Sequence, residues 1–226
     1  MAFYRGPEIV KDGLILYLDA NNTKSFLSGD TIWYDLSSNQ NICTLSGQVQ
    51  YESGHMMFSG DTDYVFVGTS ASTYNNLNQI TLESWCYPMR SSSYEYLFSN
   101  ARDTGSGYNG YELRINNGTP SFRIRNNSSS TANSSSTVSL NNWYHICSTY
   151  NGTQLKIYVN GVLKGTTNST LGIGTPSSYD LYIGRMGHGA VYEYQGYIDV
   201  SKIYNRALSD NEVLQNYNAL KTRFGL

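Results

Sequence analysis

The chain is poor in the residues that would staple it, charge it or carry it through a membrane. Only three cysteines occur in 226 residues. Cys43, Cys86 and Cys147 form neither an even set nor a CxxC pair, so neither a disulfide framework nor a zinc site is implied. Charged residues make up 14% of the chain and the formal net charge is −2. That balance removes the electrostatic basis for binding nucleic acid or an anionic membrane. No stretch approaches the ~18 consecutive apolar residues of a membrane helix. No apolar run follows MAFYRGPEIVKDG, so a signal peptide is not expected and synthesis in a reducing cytoplasm is. Catalytic groups are also missing. Glu83, Glu95, Glu112 and Glu193 each lack a second acid two residues away, the spacing that would put a nucleophile and an acid/base on one face of a strand. His55, His145 and His188 are scattered, and no Ser or Cys has an activating partner in sequence. The chain reads as non-catalytic.

What the sequence has in quantity is tyrosine, 21 residues, a residue that favours strands and surfaces that stack on ligands. The most informative stretch is WYHICSTYNGTQLKIYVNGVLKG, Trp143 to Gly165. Asn151-Gly152 and Asn160-Gly161 suit tight hairpins because both residue types tolerate positive φ. Between them Leu155, Ile157 and Val159 alternate with Lys156, Tyr158 and Asn160. This predicts a three-stranded antiparallel meander with an apolar inner face and a polar outer one.

In chain order, residues 1–12 read as a polar arm and 13–208 as a β-sandwich. Strands are expected over Gly13–Ala20, with Leu14, Leu16 and Leu18 on one face, and over Ile80–Pro88. His55–Gly68 reads as strand, turn, strand, and SYEYLFS with GYELRI as a hairpin that SFRIRN extends. Asn21–Asn41 is loop-rich, although its Trp33, Tyr34 and Leu36 are expected to be anchored. Asn126–Thr137 is low in complexity and polar, which predicts a mobile loop. Residues 209–226 form a capped helix and tail. Ser209 and Glu212 make a capping box, Leu208 and Val213 a hydrophobic staple, and Val213, Tyr217 and Leu220 a buried stripe. Lys221 and Arg223 suit the negative end of the helix dipole.

The blocks GLILYLDAN, MFSGDTDYVFVG, ITLESWCYP, the meander, LYIGR and GYIDVSKIYNRALSDNEVLQNY stand in the order of a laminin-G-like domain. The chain resembles this family over residues 13–218. The resemblance implies an all-β, concanavalin A-like jelly-roll sandwich of two antiparallel sheets with a short C-terminal helix. It also implies a structural Ca²⁺ site, with Asp199, the turn around Gly60 and Asp61, and Asp19 as candidate ligands; the alternative is that Asp61 and Asp63 form a turn and Asp199 makes a buried hydrogen bond to backbone. Glycoside hydrolases of the superfamily carry the carboxylate pair that this chain lacks. The ends GPEIVKDGLILYLDA and NYNALKTRFGL resemble small structural proteins of tailed bacteriophages, including those of cyanobacteria. This implies a virion protein that decorates a capsid or tail and partners copies of itself or other virion proteins.

The alternative function is a glycan-binding module. Tyr94, Glu95 and Tyr96, then Tyr111 and Glu112, then Tyr192, Glu193 and Tyr194 pair rings with carboxylates. Such a mix suits a sugar, whose ring stacks on the aromatic face while its hydroxyls bond the acids. Covering the sandwich or a subunit contact is the other use of such rings. The ends hold apolar residues, Phe3, Tyr4, Ile9 and Val10 in the arm and Phe224 and Leu226 in the tail. One or both ends are expected to dock on a neighbouring subunit or virion protein; the alternative is that both tuck back onto their own sandwich, whose termini can lie close together.

Overall fold

A computed structural model describes residues 7–68, 71–91, 94–103, 107–176, 180–187 and 192–226. Its first strands are β1 (Leu14–Asp19), β2 (Ile32–Tyr34), β3 (Ile42–Ser46), β4 (Gln50–Glu52), β5 (His55–Ser59) and β6 (Tyr64–Phe66). After a short helix α1 (Ala71–Tyr74) come β7 (Ile80–Pro88), β8 (Glu95–Ser99), β9 (Arg102–Asp103), β10 (Tyr108–Asn116), β11 (Thr119–Asn126) and β12 (Ser129–Asn133). The chain ends with β13 (Tyr144–Tyr150), β14 (Gln154–Val159), β15 (Val162–Asn168), β16 (Tyr182–Ile183), β17 (Gln195–Tyr204), α2 (Asp210–Leu220) and a 3₁₀ turn, Lys221–Phe224. The strands form two antiparallel sheets packed as a concanavalin A-like jelly roll. The first sheet runs β15-β14-β13-β7-β17-β5-β4, with β1 also pairing β17. The second runs β12-β11-β10-β8-β16-β6-β3-β2, with β9 on β10.

Period-two alternation builds the core between the sheets. Leu82, Cys86, Ile146 and Ile157 point inward from the first sheet and Phe98, Leu113, Phe122 and Ile124 from the second, all fully buried. The meander forms as its sequence predicts, although its two turns differ. Asn160 (φ 51°) and Gly161 (φ 74°) are both left-handed, as a type I′ turn requires. At the other turn only Gly152 has positive φ, and the Asn151 side chain accepts from the amides of Thr153 and Gln154.

Several expectations are corrected. Asn126–Thr137 is not a loop throughout: Ser129–Asn133 pairs with β11. Its side chains are polar, but its backbone finds a ladder, and Ala132 is buried. Here the edges of the two sheets meet. The Ser135 amide donates to the Lys164 carbonyl (2.8 Å) and the Thr167 hydroxyl to the Thr131 carbonyl (2.9 Å). A Cβ at Gly165 would lie 2.0 Å from the Asn133 carbonyl oxygen, so only glycine permits that approach. His55–Gly68 forms strand, turn and strand as expected, and its two strands belong to different sheets, so the turn is a crossover. Leu14 leaves the face of Leu16 and Leu18 because the β1–β17 register shifts between Leu14 and Leu16. Tyr34 is exposed, whereas its neighbour Trp33 is fully buried.

The outer face of the meander is not solvated but lies under α2. Ser209 and Glu212 form the expected capping box, and Leu208 and Val213 are buried with Tyr158 and Tyr204. Beneath the helix Glu83 and Lys202 are neighbours in register. Both side chains are fully buried and 2.6 Å apart, with His145 Nε2 3.3 Å from the same carboxylate. Asn216 of α2 donates to the other Glu83 oxygen (2.6 Å) and to the Tyr204 hydroxyl (2.9 Å). Burial opposes the charge on Glu83, but Lys202 and His145 outweigh it and hold the carboxyl below its usual range.

The C-terminal tail takes the second of the two expected courses and folds back onto its own sandwich. Phe224 is buried and stacks on Trp85, with ring centroids 4.2 Å apart. The arm is anchored too, from Val10 N to Asn216 Oδ1 (2.8 Å) and from the Tyr204 hydroxyl to Val10 O (3.0 Å). Phe3 and Tyr4 lie outside the described residues.

Candidate binding face

The outer face of the second sheet gathers the chemistry. One register row crosses it from β12 to β3: Thr131, Arg123, Glu112, Ser99, Tyr182, Phe66 and Thr44 are successive partners. Residues paired in register point to the same side. Ala101 and Gly187 donate backbone N–H to the buried Ser99 hydroxyl (3.3 and 3.1 Å). Ser99 stands in the row between an aromatic half of the face and an arginine half.

In the aromatic half, Tyr64 and Phe66 face outward because Val65 and Val67, which alternate with them, fill the core. Tyr182 meets Tyr64 edge-on (5.5 Å) and Phe66 at 5.6 Å. The Arg185 guanidinium covers Tyr64 (4.4 Å) and Tyr182 (5.0 Å). With Thr44 and Ser46 these three rings line a shallow cleft of about 330 Å³. Burial and the nearby Asp180 raise the Tyr182 pKa, so the ring stays a neutral phenol.

In the arginine half, three guanidiniums surround one carboxylate. Glu112 is fully buried and lies 3.0 Å from Arg125, 3.5 Å from Arg114 and 3.9 Å from Arg123. Arg114 packs against Tyr94 (4.5 Å) and donates to the Tyr96 hydroxyl (3.2 Å). Tyr192 meets Tyr94 edge-on at 5.1 Å. Arg125 lies over Tyr108 at 4.8 Å.

The structure therefore unites Tyr94, Tyr96, Tyr192 and Glu112 from the sequence-predicted clusters and separates the rest. Tyr111 and Tyr194 point into the core; Tyr111 occupies the inward phase of β10, and Tyr194, just before β17, meets Phe58 edge-on. Glu95 is buried and binds Arg90 Nε at 2.6 Å, and the same arginine bonds the Glu193 carbonyl. These two acids thus border an internal anchor for Arg90, which also reaches the Gly60 carbonyl at 3.3 Å. Tyr64, Phe66 and Tyr182, with Arg114, Arg123 and Arg125, escaped the sequence reading. Their signal was the outward phase of YVFV and FRIR, where large or charged side chains alternate with core residues.

The four residues expected to bind calcium do not fit it as a set. Asp19 and Asp199 do approach each other, but around Arg223, whose Nη2 lies 2.7 Å from Asp19 Oδ1 and 2.5 Å from Asp199 Oδ2. His55 Nδ1 adds a contact to Asp199 at 3.1 Å. Gly60 and Asp61 lie past the far end of β5 from His55, on the order of 13 Å away at the rise of a strand. The chain supplies its own cation, so Arg223 serves this carboxylate pair and not the helix dipole. Burial raises the Asp199 pKa against the pull of His55 and Arg223.

A family model described as the concanavalin A-like lectin/glucanases superfamily, of laminin-G type, matches residues 59–214. The chain belongs to this superfamily. No curated protein matches the sequence. Among solved structures, domain 4 of the extracellular arabinanase AbnA from Geobacillus stearothermophilus, in complex with arabinotriose, is 16% identical with a TM-score of 0.72. That match covers 92% of this chain and 100% of the domain. The binding domain of Paraclostridial Mosquitocidal Protein 1 is 20% identical with a TM-score of 0.71, covering 92% of this chain and 52% of that one. The binding domain of botulinum neurotoxin DC in complex with SialylT is 18% identical with a TM-score of 0.69, covering 93% and 52%. The chain thus spans about half the length of the toxin domains, and at these identities the likeness is one of fold. No helix among the described residues is long and apolar enough to cross a membrane.

The arginine clasp makes a prediction about metal. EDTA should leave the melting temperature unchanged, while Arg223→Met should destabilise by about 2–3 kcal/mol by leaving buried Asp199 with His55 alone beside it. Thermal unfolding with and without chelator checks both; a melting temperature lowered by EDTA contradicts the clasp.

Proposed function

We propose that the chain is a non-catalytic glycan-binding module that engages sugar on the outer face of its second sheet. The observation that carries this reading is the cleft of Tyr64, Phe66 and Tyr182 beside Thr44 and Ser46. Partly exposed ring faces suit the apolar face of a sugar, and the flanking hydroxyls and Arg185 suit its hydroxyl groups. The likeness to an arabinanase domain in complex with arabinotriose and to a toxin binding domain in complex with SialylT supports it. A glycan array tests it, followed by titration of the best ligand. Tyr182→Ala should weaken binding by about tenfold or more, equivalent to about 1.4 kcal/mol, while the variant still melts cooperatively. Absence of binding across a broad array at high protein concentration overturns the reading.

A second reading, favoured by the phage-like sequences at the two ends, is a virion protein that displays this face from a capsid or tail. The two are compatible, since a decoration protein with a sugar-binding face would attach particles to host-surface glycans. Mass spectrometry of purified virions should then detect the chain; its absence from intact particles removes the virion setting and leaves the glycan reading in place.

A further inference from the structure

The arginine half of the face holds more positive charge than its structure needs. Glu112 carries one negative charge, and three guanidiniums lie within 4 Å of it. Arg114 is only 3% exposed and already bonds Ser121 and Tyr96 as it neighbours the carboxylate. Arg125 bonds Glu112 directly. Arg123 is the surplus member. Its Nε donates to the Thr131 hydroxyl (3.1 Å), its distance to Glu112 is 3.9 Å, and its side chain is 22% exposed. Neither terminal nitrogen of its fork takes a hydrogen-bond acceptor among the described residues. Burial and repulsion from Arg114 and Arg125 lower its pKa despite Glu112. A partly desolvated site with two uncompensated positive charges gains when an anion joins it.

We propose that the glycan bound on this face carries an anionic group, a carboxylate or a sulfate, held by the fork of Arg123 with Arg125 beside it. The inference rests on the glycan reading above and names its ligand class. Three strand spacings separate Arg123 from Tyr182 in the register row, about 14 Å at about 4.8 Å each. An oligosaccharide spans that distance and a single sugar does not. The net charge of −2 repels polyanions over long range, which favours an isolated acidic group on a sugar over nucleic acid. The planar fork suits both carboxylate and sulfate oxygens, and the neighbouring guanidiniums of Arg114 and Arg125 lie over the rings of Tyr94 and Tyr108.

Calorimetric titration of the full chain with sialyllactose, trigalacturonate and sulfated lactose, against lactose and maltotriose, tests the proposal. At low salt at least one acidic probe should bind about tenfold or more tightly than the neutral probes. The advantage should shrink between about 50 mM and about 500 mM NaCl. Arg123→Gln should erase the difference between acidic and neutral probes, and Arg123→Lys, which keeps the charge without the fork, should retain part of it. Melting curves of both variants establish that they fold. Equal binding of acidic and neutral probes overturns the proposal and leaves the glycan reading standing, as does a preference that survives Arg123→Gln. Failure of every probe, neutral ones included, overturns the proposal, while the glycan reading stands or falls on the broad array.

Discussion

The architecture depends on one buried ion pair, Glu83 with Lys202, at the centre of the first sheet. Two fully buried charges are tolerated only when paired and further hydrogen-bonded. The extra bonds come from Asn216 of α2, with His145 close by on β13. The helix is therefore required by the sheet: without Asn216 one Glu83 oxygen would face apolar surroundings. The same asparagine receives the Val10 amide, so one network fastens the N-terminal segment, two central strands and the C-terminal helix. Its pH dependence has a definite sign. The folded Glu83 carboxyl titrates below its unfolded value. Its contribution is thus fully present above about pH 4.3, the unfolded value, and is lost as pH falls through the folded one.

Covering the first sheet decides which face is open to ligand. Tyr217, Leu220 and Phe224 pack with Trp85 and Val200 on that sheet, and Arg223 satisfies Asp19 and Asp199 at its margin. Carboxylates that could have drawn a metal are thereby committed to structure. On the second sheet the outward side chains are bonded to one another instead, in a row of aromatic, arginine and hydroxyl groups, and several rings stay partly exposed. The sandwich thus has one face largely covered by its own helix and tail, with a groove left beside Tyr87, Trp143 and Phe224, and one face of aromatic, arginine and hydroxyl groups.

Local features were legible in the sequence and long-range ones were not. The capping box and the Asn160-Gly161 turn are encoded within a few residues, and the structure forms both. The Glu83 partners lie 119 and 133 residues away in the chain, so Glu83 read as a solitary acid. Polar composition at Asn126–Thr137 gave no hint of β12, because that strand is held by backbone bonds at a sheet edge. The tyrosine clusters were legible in part. Period two put Tyr94 and Tyr96 on one side, but a Tyr-Glu dipeptide in a strand must send its two side chains to opposite faces. Treating whole clusters as surface therefore assigned Tyr111 and Tyr194 to the wrong side.

In the proposed function ligand meets the second sheet and not the helix-covered first. Amide proton–nitrogen NMR spectra of the full chain, recorded while titrating the tightest glycan found on an array, separate the two faces. Shifts are expected on β6, β10, β11 and β16, with α2 unmoved. Shifts confined to α2 and the Trp143 edge of the first sheet would contradict it.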